Sequence, residues 1–254
     1  MSTREEVAML DSDAPVIVVG DTHAQREKVE RLIETLAATG LLADRRLVFL
    51  GDYVDRGPDA KGLLDFCIGL RAEGHVMLMG NHEYILERAL FAEDRRDYWT
   101  ERWTNNYECD VLTSYGVPSG TRTPEGREER ARALRAMMPT AHLDFLRGLP
   151  WCYEDDTVVA IHAGVDPATA WEEQRAGLHA RSTTNPKGPQ QLCLKDYAED
   201  TTARVPGRSL VTGHATRTEA YVAEGRVMID LGADRRGGRL CAWVSDTGDL
   251  VEVC

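Results

Sequence analysis

Short apolar runs set between amphipathic stretches dominate the first third of the chain. Val16-Ile17-Val18-Val19 is unbroken, as expected for a strand buried on both faces of a parallel sheet. Behind it Val29, Leu32, Ile33 and Leu36 recur at i, i+3, i+4 and i+7, one stripe of an amphipathic helix, and Gly40 is placed to stop it. Leu47-Val48-Phe49-Leu50 predicts a second strand. Leu63, Leu64, Cys67, Ile68 and Leu70 predict a helix over 62–71, and Val76-Met77-Leu78-Met79 a third strand. Strands about 30 residues apart with helices between them make parallel β-α-β units, so the class is α/β.

From Ala92 to Leu149 the pattern changes. A charged and aromatic stretch, Asp97 to Trp103, leads into a turn-rich piece from Tyr115 to Gly120 that includes Ser119. The charge run Glu125 to Arg135 reads as the solvated face of a helix. Residues 92–149 are expected to be a helical insertion within a single domain covering 1–254. Trp99, Trp103, Tyr107 and Tyr115 read as pins that fix it to the scaffold; the alternative is a stacking platform for a nucleobase.

Strands resume at Thr157–Ile161. Ala163 to Arg208 reads as loop-rich, with a turn at Asn185-Pro186-Lys187-Gly188-Pro189. Leu210-Val211, Val227 to Leu231 and Leu240 to Val244 supply the remaining strands. His75 and His142 are expected at the surface, His179 in a structural role, and Met77 and Met79 in the core.

Composition narrows the partners. With 43% hydrophobic and 28% charged residues in 254, the chain has ordinary globular proportions. No apolar run approaches the ~20 residues that cross a bilayer, so no membrane partner is expected. Met1-Ser2-Thr3-Arg4-Glu5-Glu6 lacks the basic-then-apolar order of a secretory signal and reads as a solvated lead-in. A net charge of −12 repels polyanions, which argues against nucleic acid as a bulk partner. Divalent cations would reverse that field locally and leave a phosphate-bearing substrate open. Cys67, Cys109, Cys152, Cys193, Cys241 and Cys254 form no close pairs, against both a disulfide framework and a thiolate zinc site and in keeping with a reducing cytoplasm.

The chemistry lies at the strand ends. The first three strands run into Gly20-Asp21-Thr22-His23, Gly51-Asp52-Tyr53-Val54-Asp55-Arg56-Gly57 and Gly80-Asn81-His82-Glu83. In a parallel sheet these ends share one edge, which gathers Asp21, His23, Asp52, Asp55, Arg56, Asn81 and His82 into one crevice. The next strands end in His162-Ala163-Gly164 and Gly213-His214, adding two imidazoles at that edge. Singly, each has a plain explanation: Asp21 a helix cap, His162 a core histidine, Asp55-Arg56 an ion pair in a turn. Five such coincidences in order do not. Carboxylate, imidazole and amide oxygen together suit Mn, Fe or Zn better than Mg or Ca. Asp52 is central enough to bridge two cations. Two metals ~3.5–4 Å apart can activate a shared water for in-line displacement at phosphorus.

These blocks resemble the signature of the calcineurin-like metallophosphoesterases, in particular their phosphoprotein-phosphatase branch with its bacterial and phage members. The match runs from Val16 to Glu83 and reappears at His162, His214 and Ile229-Asp230-Leu231-Gly232-Ala233. The resemblance implies a β-sandwich of two mixed sheets flanked by helices, in four layers α/β/β/α. It implies two transition-metal ions per chain, Mn first, with Fe or Zn as alternatives. Asp21, His23 and Asp52 would hold one; Asp52, Asn81, His162 and His214 the other. His82, oriented by Asp55, would protonate the leaving oxygen, and Arg56 would grip the phosphate. Leu178-His179-Ala180-Arg181 resembles the Leu-Trp-x-Arg of bacterial and phage relatives, which makes Arg181 a second clamp, with Arg175 as the alternative.

The chain departs from those relatives at wall positions: Ala24 where glycine is usual, Ala215-Thr216-Arg217 after His214, and Asn105-Asn106-Tyr107-Glu108-Cys109 in the insertion. The implied activity is hydrolysis of phosphomonoesters by a metal-activated hydroxide. Phosphoserine or phosphothreonine in proteins is the first substrate class, and a dinucleoside polyphosphate or a small metabolite phosphate the alternative. A metal-binding scaffold without turnover is disfavoured by the paired His82 and Asp55. A nuclease is disfavoured by the charge and by Thr216.

Overall fold

The computed structural model describes residues 14–254 apart from Tyr107 and Ser119, with the side chains of 106–109 also outside the described set. The expected lead-in Met1–Glu6 and the aromatic Tyr107 therefore lie outside the described residues. β1 (Val16–Val19), β2 (Arg46–Phe49) and β3 (Val76–Met77) pair in parallel, with α1 (Arg26–Ala38) and α2 (Ala60–Ala72) as crossovers. The apolar run of β1 is explained by its two faces. Ile17 and Val19 pack into the helix-covered core with Val29, Leu32 and Leu36. Val16 and Val18 point the other way, into a second apolar layer. Asp59 caps α2 by accepting from the Gly62 amide at 2.8 Å, supplying a partner for one of the first-turn N–H groups. β3 is two residues shorter than expected. Leu78 still donates to the Phe49 carbonyl at 2.9 Å, but Met79 turns to the Pro150 carbonyl at 2.8 Å, and α3 (Asn81–Phe91) begins at once. Asn81 and His82 thus stand in the first turn of a helix, not in an open loop.

α4 (Arg96–Asn106), α5 (Glu108–Ser114), α6 (Pro124–Met137) and α7 (Thr140–Gly148) follow. α4 packs on α3 and α6, while α5 and α7 pack on α2. Trp99, Trp103 and Tyr115 are buried in these contacts. His142 is fully buried, contrary to the surface position expected for it: Nε2 meets Asp65 Oδ1 at 2.8 Å and Nδ1 meets the Tyr115 hydroxyl at 2.5 Å. A histidine with partners at both nitrogens can be buried without an unsatisfied polar atom. His75 is also buried, with its Nδ1 accepting from the Leu47 amide at 3.2 Å.

The second sheet is built from β4 (Cys152–Glu154), β5 (Val158–Ile161), β6 (Ser209–Thr212), β7 (Tyr221–Ala223) and β8 (Arg226–Met228), in the order β4-β5-β6-β8-β7. Within the segment read as loop-rich lie α8 (Trp171–His179), α9 (Gln190–Cys193) and α10 (Lys195–Glu199). α8 buries Trp171, Gln174 and Leu178, a spacing of 3 and 4 obscured by the polar middle member. β9 (Leu240–Val244) and β10 (Leu250–Val253) return to complete the first sheet as β10-β9-β1-β2-β3. Both sheets are mixed. β9 runs antiparallel to β1, and β4 and β7 antiparallel to their neighbours. Val16, Val18, Val48 and Leu50 from one sheet meet Val158, Ala160, Val211 and Ile229 from the other in a dry layer. Two mixed sheets packed face to face and flanked by helices are the expected architecture.

Candidate metal centre

The strand ends converge as expected, with one correction: β5 and β6 belong to the second sheet, so His162 and His214 approach across the sandwich instead of along one edge. Close backbone approach makes the convergence possible. Gly51 has φ +116, and a Cβ there would sit 2.4 Å from the Gly80 amide nitrogen, so the second and third loops touch only because both are glycine. At Gly213 a Cβ would fall 2.0 Å from Asp21 Oδ1, and this opening lets the carboxylate accept from the His214 amide at 3.0 Å.

Asp52 lies at the centre, with 2% exposure. Its Oδ2 is 3.6 Å from His23 Nε2 and 3.8 Å from His82 Nε2; its Oδ1 is 3.4 Å from His162 Nε2 and accepts from the His82 amide at 3.1 Å. Asn81 Oδ1 lies 2.9 Å from His162 Nε2 and 2.8 Å from His214 Nδ1. His82 Nδ1 is 2.8 Å from Asp55 Oδ2, with both side chains buried. Arg56 is the outward member. It is 41% exposed, its Nη1 is 3.1 Å from His23 Nε2, and Asp234 Oδ2 lies 4.0 Å away.

Among the described residues two triads fall within metal-ligating reach, His23–Asp52–His82 and Asp52–His162–His214, each with its donor atoms within 4.8 Å of one another. They share Asp52. Asp21 enters neither triad; its carboxylate is spent on the His214 amide.

The donor set fits cations on chemical grounds. His162 Nδ1 is 3.0 Å from the Leu50 carbonyl, and a carbonyl only accepts, so the ring proton sits on Nδ1. Nε2 therefore faces the oxygens of Asp52 and Asn81, and a positive charge, either a ring proton or a cation, belongs between them. A histidine whose far nitrogen is tied to a carbonyl is the usual arrangement at a metal. The electrostatics mark where positive charge is favoured. Burial alone would lower His162, yet Asp52 and Asp21 push it up to about 10. Burial and the charge on His162 push His214 down to about 3. Burial works to raise Asp52, but His162, His82 and His23 outweigh it and hold the carboxyl well below the usual range. Burial, with Asp230 next, raises Asp21. Burial, followed by Glu83 and Asp52, raises Asp55.

The sequence reading passed over Glu83. Its Oε2 accepts from the amides of Asp52 at 2.8 Å and Gly80 at 3.2 Å, and its Oε1 from Tyr53 at 2.7 Å and Val54 at 3.0 Å. One carboxylate thus ties the second loop to the first turn of α3. Burial and the Asp52 charge push it up to about 7 against the pull of those amides. The available signal was an acidic residue two places after Asn81 at a helix start. Asp230, also buried, fixes the wall beyond His214 by accepting from Thr216 Oγ1 and the Gly232 amide, both at 2.9 Å.

The backbone is strained here as well. Among the described residues, eight non-glycine positions have positive φ, and six of them are His23, Ala24, Asp52, Asp55, Arg56 and His214. Such conformations cost on the order of 1–3 kcal/mol each and cluster where function holds them.

The two clamp candidates have partners of their own. Arg175 Nε pairs with Glu154 Oε1 at 2.5 Å, where His179 also binds. Arg181 donates to the Arg147 carbonyl and lines a separate cleft.

A family model described as "Calcineurin-like phosphoesterase" matches residues 14–214. A relative from Caenorhabditis elegans named "Putative serine/threonine-protein phosphatase C06A1.3" is 40% identical over 82 residues, 31% of this chain and 22% of that protein. The chain thus aligns with about a quarter or less of the length of such relatives. A solved structure titled "Crystal structure of a putative diadenosine tetraphosphatase" has a TM-score of 0.61 at 20% identity, covering 96% of this chain and 95% of that one. A protein serine/threonine phosphatase from Saccharomyces cerevisiae, with similarity to human phosphatase PP5, gives 0.51 at 15% identity over 95% and 79%. At these identities the structural matches speak for the fold.

Proposed function

Since this chain belongs to the calcineurin-like phosphoesterase family, we propose that it is a dinuclear metal-dependent phosphatase acting on phosphomonoesters, with phosphoserine and phosphothreonine side chains as its substrate class. The observation that carries this reading is the sharing of Asp52 by two triads of donors. His23 and Asp52, with Asp21 beside them, serve one cation. Asp52, Asn81, His162 and His214 serve the other. Manganese is favoured, with iron or zinc compatible with the same donors. When bound, two such cations supply an activated water and neutralise charge on the phosphoryl oxygens.

The chain's own residues do the rest. Arg56, at the open side of the cluster, presents a planar fork suited to two phosphoryl oxygens. The alkoxide leaving group needs a proton, and His82 is the nearby donor. Asp55 at 2.8 Å fixes the orientation of the ring. The serine/threonine names of curated relatives support the substrate class.

His82 is also where the two triads and the proton-donor role diverge, and His82→Asn separates them. As a proton donor, its loss lowers kcat on alkyl phosphates about 10²–10⁴-fold while metal content by mass spectrometry stays near two per chain. Metal content falling to one makes His82 a ligand; unchanged kcat with two metals removes it from the mechanism. A panel of phosphopeptides, diadenosine tetraphosphate and small phosphate esters tests the substrate class. Phosphopeptides left intact while another member is hydrolysed would overturn it.

A further inference from the structure

Aspartates in the loops of this protein cap their own turns. Asp155 accepts from the amides of Thr157 and Val158 at 2.7 and 2.8 Å, Asp166 from that of Ala168 at 2.9 Å, Asp200 from that of Thr202 at 2.7 Å, and Asp230 from that of Gly232 at 2.9 Å. Such local bonding is the ordinary reason for an aspartate in a turn. Asp234 departs from the pattern. Among the described residues nothing donates a hydrogen bond to it, and its Oδ1 is buried. Buried donors without partners are scattered over the chain, but only two carboxylate oxygens share that condition, Asp55 Oδ1 and Asp234 Oδ1, and both carboxylates stand at the metal centre. A desolvated carboxylate that bonds nothing in its own loop costs stability, so the loop itself does not explain it.

The loop holds Asp234 in a fixed place. The Arg235 amide donates to the Gly232 carbonyl at 2.8 Å, the Gly238 amide to the Arg235 carbonyl at 2.9 Å, and the Arg239 amide to the Leu231 carbonyl at 3.2 Å. A Cβ on Gly238 would overlap the Gly232 carbonyl, so the turn closes this tightly only with glycine there. Arg235 and Arg236 are exposed, whereas the Asp234 side chain is turned inward, at 13% exposure, with Oδ2 4.0 Å from Arg56 Nη1.

Arg56 has few other holds. Among the described residues its polar neighbours are Asp234 and His23 Nε2, the latter at 3.1 Å. That nitrogen also faces Asp52 at 3.6 Å, and one lone pair cannot serve a cation and an N–H donor together. With His23 serving a cation, Asp234 is the group left to steer the guanidinium. The other carboxylates nearby are committed: Asp52 to three histidines, Asp55 to His82, and Asp230 to Thr216 and Gly232. A half-exposed arginine loses rotamer freedom when it grips a ligand, and a fixed counter-charge takes up part of that loss beforehand. The guanidinium has five N–H donors, enough to meet Asp234 on one edge and phosphoryl oxygens on another.

We propose that Asp234 is a positioning residue that holds the Arg56 guanidinium over the metal centre and thereby sets the affinity for the phosphoryl group. The inference rests on the phosphatase reading, in which Arg56 is the phosphate clamp.

The test is a double-mutant cycle on the metal-loaded protein, with Asp234→Asn, Arg56→Ala and the two combined. Inorganic phosphate is the binding probe, followed by calorimetry, and p-nitrophenyl phosphate is the substrate. Asp234→Asn should weaken phosphate binding and raise KM together, each about threefold or more, the scale of a partly exposed ion pair, with a smaller change in kcat and unchanged metal content. In the Arg56→Ala background the same substitution should have no further effect. Asp234→Glu keeps the charge and should recover most of the affinity. Asp234→Ser gives the same comparison if the asparagine variant does not fold, and calorimetric stoichiometry counts the folded sites in each. Phosphate bound equally well by Asp234→Asn, or an effect of equal size without Arg56, overturns the proposal while hydrolysis stands. Tighter phosphate binding also overturns it, since the carboxylate then opposes the anion, and so does loss of metal, which would place Asp234 among the groups that hold the ions. Absence of hydrolysis of any phosphate ester, with the two residues still coupled in phosphate binding, overturns the phosphatase reading and leaves the role of Asp234.

Discussion

Replacing Glu83 with glutamine keeps shape and volume and removes half of one carboxylate's accepting capacity. In the native protein two oxygens receive four backbone amides, from Asp52, Tyr53, Val54 and Gly80, at 2.7–3.2 Å. Glutamine retains one acceptor oxygen and turns its NH₂ toward the other pair, leaving two buried N–H groups without acceptors. Each such loss costs about 1–3 kcal/mol, so Glu83→Gln should destabilise the fold by about 2–6 kcal/mol, less whatever the loop recovers by shifting. Function should suffer beyond stability, since the loop so released carries Asp52, held at φ 56° and common to both triads. A displacement of ~1 Å at a reacting centre can cost on the order of 10²-fold in rate. Urea unfolding in chelator gives the stability change; metal analysis and kcat on p-nitrophenyl phosphate, in folded protein, give the rest. A variant within about 1 kcal/mol of wild type in stability, with full metal content and unchanged kcat, would refute the idea that this carboxylate holds the site together.

Asp55→Asn keeps the shape beside His82 Nδ1 but removes the carboxylate that anchors the ring. A fall of about 10–100-fold in kcat is expected with metal content unchanged, and lost metal would show that Asp55 acts on the ligands instead. Gly80→Ala drives a methyl to 2.2 Å from Asp52 Oδ1 and 2.4 Å from its amide, so both metal occupancy and kcat should drop together; retained occupancy would mean the loop yields more easily than the geometry suggests. Glu154 ends β4. Burial works to raise its carboxyl, but Arg175, His179 and Arg208 outweigh it and hold the group below 4.5. A depressed carboxyl contributes stability above its unfolded value that is lost as pH falls through the folded one. The Tm gap between wild type and Glu154→Gln should therefore be widest near neutrality and close below pH 4.5, and a gap that widens on acidification contradicts the pairing.

The loops were readable because their chemistry is local. Gly51-Asp52 or Gly213-His214 after an apolar run announces a strand end carrying a polar group, whatever the partner strand. Which sheet each strand joins is decided by pairing across long sequence separations, and periodicity carries no record of it. Hence the sequence reading put the ends of β5 and β6 at the edge shared by β1, β2 and β3, while their residues in fact face that sheet across the dry layer. The edge strands β4, β7 and β10 were missed because each buries at most one side chain, leaving too little apolar signal. Burial of His142 escaped for another reason: a histidine goes inside when its partners are inside, and Asp65 and Tyr115 lie 77 and 27 residues away. Glu83 was quoted but given no role, since its four partners are backbone amides, invisible to any reading of side-chain types.

The chain passes from the first sheet to the second between β3 and β4 and returns between β8 and β9, and makes no other crossing among the described strands. Asp52 and Asn81 belong to one layer, His162 and His214 to the other. An ion gripped by all four is a rivet through the sandwich, set beside its dry apolar layer. The spacing of the two sheets and the geometry of the grip then become a single mechanical variable. Any force that slides one layer over the other, at however great a distance, is felt by the ion.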